Sequence, residues 1–208
     1  MRRNVFAKAF LALGFLTIAA AANAQPVSDR AVVPVAVTLN QILRLNVTNG
    51  GNIEFVFNRI DQYENGIANS AMYDTDIDVS SSTRWELAIG AEDATFIGTD
   101  DPTNILFTLD NVGYQIISNG AHAFGTELTD PANANAGVVA LTAFSTTVIG
   151  SASALAGGNS GDRDDNNFTI NWECGTTNGT MNATALIDQD LAPDRYVTNV
   201  LMDLVIAP

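Results

Sequence analysis

The chain has few basic residues and no long apolar run beyond its start. Of its 208 residues, nine are Lys or Arg and 23 are Asp or Glu, so the formal net charge is −14. A protein of this charge with dispersed arginines cannot neutralise a run of phosphates, which excludes nucleic acid and anionic membrane surfaces as expected partners. No apolar run after residue 24 reaches the ~20 residues that span a bilayer. We therefore expect no membrane insertion from residue 25 onward.

The chain also has only one histidine and one cysteine, which restricts its chemistry. A nucleophilic triad needs a histidine beside the nucleophile, but His122 lies in a Gly- and Ala-rich loop with no nucleophile motif nearby. We interpret it as an exposed loop residue. A zinc site needs several His or Cys ligands at short spacing, and His122 and Cys174 do not supply them. We therefore predict no enzyme activity, no catalytic residues, no metal and no cofactor, with a carboxylate-based hydrolase as the least favoured alternative.

The first 24 residues have the pattern of an export signal. A basic start is followed by an apolar stretch over residues 9–20 and by the small-residue cleavage site Ala22-Asn23-Ala24. Cleavage there leaves residues 25–208 with six arginines, 23 acidic residues and a formal charge of 6 − 23 = −17. Their length fits one folded domain. We expect an exported protein that is periplasmic, at the cell surface or extracellular.

Period-two alternation of apolar and polar residues recurs along residues 25–208 and predicts an all-β fold. The candidate strands are 33–39, 42–47, 53–57, 73–79, 84–91, 105–109, 114–118, 138–149, 168–174 and 196–206. Long loops rich in Gly, Asn, Asp and Ser separate several of them and suggest crossovers between sheets. About ten short strands around one core predict a two-sheet β-sandwich, immunoglobulin-like or jelly-roll-like, with a closed barrel as the alternative.

The apolar positions of these alternations predict the core. It comprises Phe55, Phe57, Trp85, Leu87, Phe107, Ile170, Trp172, Tyr196, Val200 and Leu204. Cys174 falls on the same face as Trp172, which favours a buried thiol over a link between two molecules.

Two acidic segments are candidates for calcium. The strand that contains Asp74, Asp76 and Asp78 lacks the loop pattern of a calcium site and is interpreted as acidic on one face. Residues 162–173 place Asp162, Asp164 and Asn166 at suitable spacing and end at Glu173, which the alternation puts on the polar face of a strand. We interpret this segment as a solvated acidic loop and expect no effect of calcium, although the sequence leaves such a site open.

Two segments resemble known families. Trp85-Glu86-Leu87 is similar to the tryptophan-any-leucine motif of WxL domains, and residues 192–208 resemble the final strand of those domains and of pilin-like exported sandwiches of the spore-coat-U kind. These families are exported β-sandwiches. The WxL resemblance implies a surface protein associated with wall glycan, and the pilin-like one implies assembly into fibres.

These observations predict an exported, non-enzymatic structural subunit of a cell-surface or extracellular assembly, a filament or an adhesive layer. The partners would be copies of itself or other surface proteins. The alternative is a monomeric module that binds wall or extracellular glycan, for which Tyr63 is the only aromatic residue in a clearly polar loop. Trp85 is either part of such a glycan-binding site or, as the alternation favours, a residue of the core.

The segment Val33-Pro34-Val35-Ala36-Val37-Thr38-Leu39 has two interpretations. Its alternation is that of a strand, and proline inside a strand is confined largely to sheet edges. It is therefore either the first strand of its own sandwich or a strand that completes the sheet of a neighbouring molecule. The first interpretation is favoured, because the chain already offers enough residues to close the fold by itself.

Overall fold

The computed structural model describes residues 33–208 and consists mainly of antiparallel strands. Residues 40–208 form one compact unit and residues 33–39 belong to another. The strands are β1 (Leu43–Asn49), β2 (Asp74–Ser81), β3 (Trp85–Ala91), β4 (Ile97–Gly98), β5 (Val112–Ser118), β6 (Leu128–Thr129), β7 (Val139–Ala140), β8 (Thr146–Ser151), β9 (Asn167–Cys174), β10 (Tyr196–Val197) and β11 (Val200–Ile206). One short helix, α1 (Ile60–Asn65), and three 3-10 turns, Ala71–Tyr73, Leu109–Asn111 and Leu186–Asp188, complete the described elements.

The strands form two main sheets and a small ribbon. The first sheet has five strands in the order β1-β2-β9-β5-β7, and the second has four in the order β11-β3-β8-β6. The strands β4 and β10, of two residues each, pair with each other and form the ribbon. Neighbours within each sheet pair antiparallel. The predicted all-β sandwich is confirmed, with eleven strands rather than ten in the described part of the chain.

The core lies between the two main sheets and is contributed by both. Ile77 and Phe168 from the first sheet and Trp85 and Leu87 from the second are fully buried in one apolar cluster. The rings of Trp85 and Phe168 meet edge to face across the two sheets, with their centroids 6.1 Å apart. These residues lie on β2, β9 and β3. Each of these strands buries every inward side chain, because it has a neighbour on both sides.

The ten predicted core residues all contact the cluster, but only half of them are buried. Trp85, Leu87, Phe107, Ile170 and Trp172 are buried. The others, Phe55, Phe57, Tyr196, Val200 and Leu204, are half-buried and pack against the cluster. Alternation identified the inward face correctly, whereas the degree of burial depends on position in the sheet.

Several predicted strands are absent or divided. Residues 105–109 form no strand and lead into a 3-10 turn. The predicted strand 138–149 is divided into β7 and β8, and 196–206 is divided into β10 and β11. In the first break Leu141 is buried but Phe144 is exposed, and the second break consists of the polar residues Thr198 and Asn199, so the alternation is interrupted in both.

The predicted strand 53–57 is extended but pairs with no strand. Ile53, Phe55 and Phe57 pack against the core while the residues between them are exposed. Among residues 33–208, no backbone hydrogen bond is made by residues 51–57. Side-chain contacts hold the segment instead: Phe55 stacks on Tyr73 at 4.4 Å between centroids. Of the candidate strands, 53–57 is therefore not confirmed as a strand.

Residues 33–39 are not a strand of the sandwich either. They have no regular secondary structure, and the four apolar side chains Val33, Val35, Val37 and Leu39 are 78–90% exposed. The favoured interpretation of this segment as an intrinsic first strand is therefore wrong for the described structure. The first strand of the sandwich is β1.

Candidate functional site

The single histidine and the single cysteine have different environments. His122 is half-buried, and its Nδ1 lies 3.0 Å from Oδ1 of Asn166. It therefore lies in a loop, as predicted, but is half-buried rather than exposed. Cys174 is buried on β9, as predicted, and desolvation raises the pKa of its thiol well above the usual range. A thiol held in the neutral form by burial is a poor nucleophile.

The candidate calcium residues are engaged in turns. Oδ1 of Asp162 accepts hydrogen bonds from the backbone N–H groups of Asp164 and Asp165, at 2.8 and 3.3 Å. Glu173 lies on the outer face of β9, as predicted, yet it is 2% exposed, contrary to the expectation of a solvated side chain. Its two carboxylate oxygens accept hydrogen bonds from the side chains of Thr176 and Asn178. Within residues 33–208, no group of three or more His, Cys, Asp or Glu is placed to hold a metal ion.

Both tryptophans are core residues whose ring N–H groups are satisfied internally. Trp85 is fully buried, and its Nε1 donates to the backbone carbonyl of Asn159. Nε1 of Trp172 donates to Oγ1 of Thr75 at 3.0 Å. A ligand platform needs an accessible ring face. The prediction that Trp85 is a core anchor is confirmed.

The most distinctive surface feature is a strip of partly exposed apolar side chains along two edge strands, called the β1–β11 cleft below, which the sequence reasoning missed. β1 ends the first sheet and β11 ends the second, and these two strands contact each other along one side of the sandwich. Neither has a second neighbour in its sheet among the residues that the structure describes. Their outer backbone N–H and C=O groups are therefore available for pairing, as is typical of edge strands.

The inward side chains of β1 and β11 line this cleft. Antiparallel pairing places Leu45 opposite Val79 and Leu204 opposite Leu87, so each shares the inward face of its buried partner. On this face β1 presents Leu43, Leu45 and Val47, and β11 presents Val200, Met202, Leu204 and Ile206. Their partners on β2 and β3 are buried, whereas Val47 is 49% and Ile206 41% exposed and the others are half-buried. The apolar faces of β1 and β11 are thus partly exposed along this side, while the residues behind them are buried.

One end of the cleft deepens into a pocket of about 280 Å³. It lies between Gly50, which follows β1, and Val200, which begins β11, and it reaches Trp172 in the core. Ile53 and Phe55 of the unpaired segment 53–57 form one wall. Gly50 has a φ of 65°, and a Cβ there would meet the carbonyl oxygen of Asp74. Only glycine fits this turn, which brings the end of β1 close to the start of β2.

The cleft is free of charge, unlike the outer faces of the same strands. Every inward residue of β1 and β11 is aliphatic or methionine, while Arg44 and Asp203 alternate with them and face outward, exposed. An ionised group would lose its hydration there without a partner. An extended apolar segment fits the cleft chemically, because it supplies side chains for the core and backbone groups for the edges.

Comparisons with known proteins do not identify the chain. No protein-family model matches it, and no curated protein matches it significantly. Along residues 33–208, no helix has both the length and the apolar character needed to cross a bilayer.

Proposed function

We propose that this protein is an exported, non-enzymatic structural subunit of a cell-surface or extracellular assembly, such as a filament or an adhesive layer. The observation that carries the proposal is the strip of partly exposed apolar side chains along the edge strands β1 and β11. Two sheet edges and a row of half-buried side chains on one side of a sandwich form a surface suited to strand addition. Its partners are copies of the same chain or other surface proteins.

The chemistry of the described residues also favours a structural role. The buried thiol of Cys174 and the hydrogen-bonded His122 are not arranged as a nucleophile and its base. The buried carboxylate Glu173 is fully engaged by neighbouring side chains. The interaction surface is hydrophobic, as expected of a binding interface rather than of a catalytic pocket.

A monomeric glycan-binding module is the rival function and has weaker support. Carbohydrate sites commonly use exposed aromatic faces, and Tyr63 and Phe144 are the only exposed aromatic residues in the described part of the chain. Tyr63 packs on Phe57 with the ring centroids 5.4 Å apart, which occupies one side of its ring.

The test of the proposed function is direct observation of assembly. The chain from Gln25 to Pro208 is purified, and its mass is measured by sedimentation over a range of concentrations and by electron microscopy. Sheared surface material from the source cells is imaged in parallel, with the subunit identified by mass spectrometry. We expect fibres or extended layers. Protein that stays monomeric at high concentration and is absent from surface structures would contradict the proposal and favour the glycan-binding module.

A further inference from the structure

We infer that the pocket between Gly50 and Val200 binds a small, uncharged aromatic molecule that has one polar end. The pocket lies within the compact unit of residues 40–208. Its lining is graded from a buried apolar floor to an exposed polar rim, and this grading indicates the chemistry of the ligand. Binding here goes beyond the proposed function and does not depend on it.

The floor of the pocket is apolar, and its polar atoms are already bonded within the protein. Val112, Leu141 and Trp172 lie in the floor and are each at most 7% exposed. Thr75 is buried beside them, and its Oγ1 accepts a hydrogen bond from Nε1 of Trp172 and donates one to the carbonyl of Gly50. The inner end of a ligand should therefore be apolar, because a polar group there would lose its hydration without gaining a partner.

Aromatic rings form much of the lining. Phe55 and Phe96 lie in the walls and Trp172 in the floor. Each of these rings packs on one other ring that does not line the pocket, with the ring centroids 4.4 to 5.4 Å apart. Ring pairs in stacked or edge-to-face arrangements gain attraction beyond the burial of their area. An aromatic body would add to these contacts and is therefore favoured over an aliphatic one.

The volume of the pocket limits the size of the ligand. A dry apolar cavity of about 150 Å³ holds one benzene molecule. This pocket has about 280 Å³. One ring with a short substituent therefore fits, whereas an oligosaccharide or a peptide strand is too large.

The rim of the pocket is polar. Gly51, Asn52 and Asn199 lie there and are exposed. Among residues 33–208, Gly51 and Asn52 make no backbone hydrogen bond with another backbone group. The side-chain amide of Asn199 donates to Glu92 at 2.7 Å, which leaves its Oδ1 as an acceptor. A hydroxyl group at the outer end of the ligand thus finds both donors and acceptors.

The charges around the pocket favour an uncharged ligand. Of the described residues that line it, none is ionisable, although the chain has a net charge of −14. A charged group of the ligand would find no counter-ion in the lining. An anion would also be repelled by the net charge and by Glu92, whose carboxylate is bonded to the rim residue Asn199.

The binding experiment uses the chain from Gln25 to Pro208 and the probe 2-phenylethanol. Calorimetry should give saturable binding with a dissociation constant of ~1 mM or lower. In nitrogen-edited NMR spectra, the indole signal of Trp172 should shift, whereas that of Trp85, which does not line the pocket, should stay. Phenylacetate has the same ring with an anionic end, and 2-cyclohexylethanol has the same end on a saturated ring. Both should bind roughly tenfold more weakly.

Two variants with matched controls locate the site. V200F adds a ring to the wall, and its control is V205F on the outward face of the same strand, where Val205 is 43% exposed. F55A removes a ring of the wall, and its control is F57A, because Phe57 is half-buried in the same segment but does not line the pocket. V200F and F55A should each weaken binding of 2-phenylethanol roughly tenfold, while both controls bind like the parent. Circular dichroism checks the fold of every variant.

The outcomes that overturn the inference are distinct. Lack of saturable binding of 2-phenylethanol, or binding that neither V200F nor F55A weakens, would show that the pocket is not its site. Equal binding of phenylacetate would contradict the uncharged ligand, and equal binding of 2-cyclohexylethanol would contradict the aromatic one. Assembly is measured separately by sedimentation, so these results leave the proposed function standing or falling on its own test.

Discussion

Trp85 is held by a single partner residue, Asn159, through three hydrogen bonds. The Asn159 side chain accepts from the Trp85 backbone N–H and donates to its carbonyl, and the indole N–H donates to the Asn159 carbonyl. Both residues are fully buried. The long loop that carries Asn159 is thereby fastened to the start of β3, so one residue anchors both the core and a loop.

Truncation of this tryptophan should therefore be severely destabilising. We expect Trp85→Ala to lower the free energy of unfolding by about 3–5 kcal/mol, because a large cavity opens and the indole bond is lost. The control Met72→Ala removes a side chain that is 78% exposed, and it should change the free energy of unfolding by less than about 0.5 kcal/mol. Denaturant unfolding measures both. An unmoved midpoint for Trp85→Ala, with loss of binding to a surface glycan, would contradict the core assignment.

Tyr114 makes stability depend on pH in the alkaline range. The residue is buried on β5, where desolvation, assisted by the negative charge of Asp130, raises the pKa of its phenol to about 12. In the unfolded chain the pKa is about 10. Stability is therefore fully present below about pH 10 and is lost as the pH rises toward 12, because only the unfolded chain releases the proton.

The measurement compares the parent with Tyr114→Phe. The difference between their free energies of unfolding should shift by roughly 2–3 kcal/mol between pH 9 and pH 12 in favour of the phenylalanine variant. The raised pKa of Cys174 acts in the same direction in both proteins and cancels in the difference. Parallel pH profiles for the two proteins would show that Tyr114 ionises freely in the folded state.

At the scale of elements, the edge strands β1 and β11 differ from the central strands β2 and β3 in one respect. β2 and β3 have partners on both sides and bury their inward side chains, whereas β1 and β11 have one partner each and leave theirs half-buried. The apolar side chains recur at every second residue in all four strands. In these four strands the difference in burial follows the number of paired neighbours and not the sequence pattern, whereas the edge strand β6 still buries Leu128 fully.

Residues 33–39 should be dispensable for folding. Deletion of residues 25–38 removes side chains that are exposed where the structure describes them, and no strand of the sandwich is lost. We expect the shortened chain to keep its β-sheet circular dichroism, with a melting temperature within a few degrees of the parent. The matched control deletes residues 200–208 and so removes β11, which should prevent folding. An unfolded product of the first deletion would restore the intrinsic-strand interpretation.

The molecule is a polyanion, whereas the inward faces of β1 and β11 carry no charge. Residues 25–208 carry 23 acidic and six basic side chains, and the described ion pairs, such as Arg195 with Glu54 at 3.0 Å, are exposed. Exposed pairs contribute little to stability. Net charge therefore acts mainly between molecules, where it opposes association.

Assembly should consequently depend on salt. The Debye length falls from ~30 Å at 0.01 M to ~8 Å at 0.15 M ionic strength, so salt screens the repulsion between subunits. An apolar contact between subunits is not weakened by this screening. We expect the fraction of assembled protein, measured by sedimentation, to increase across this range of sodium chloride. Sucrose at matched osmolarity, which leaves the charge interactions in place, is the control. A decrease in the assembled fraction with salt would indicate an ionic contact between subunits and contradict an apolar one.

The sequence by itself determined the fold class, the inward face of most strands and the burial of Trp85, Trp172 and Cys174. These follow from alternation, which is local because successive side chains of a strand point to opposite faces. It also indicated Val33–Leu39 as a strand-like segment.

Only the tertiary structure decided which segments pair. Residues 53–57 alternate as clearly as β1 does, yet they form no ladder, and β11 pairs with β3, which lies far away in the chain. Glu173 follows the polar alternation of β9 but is buried by hydrogen-bonding partners in the loop that follows. Edges, clefts and covered faces arise from contacts between segments distant in sequence, and a local pattern holds no information about which distant segment supplies the partner.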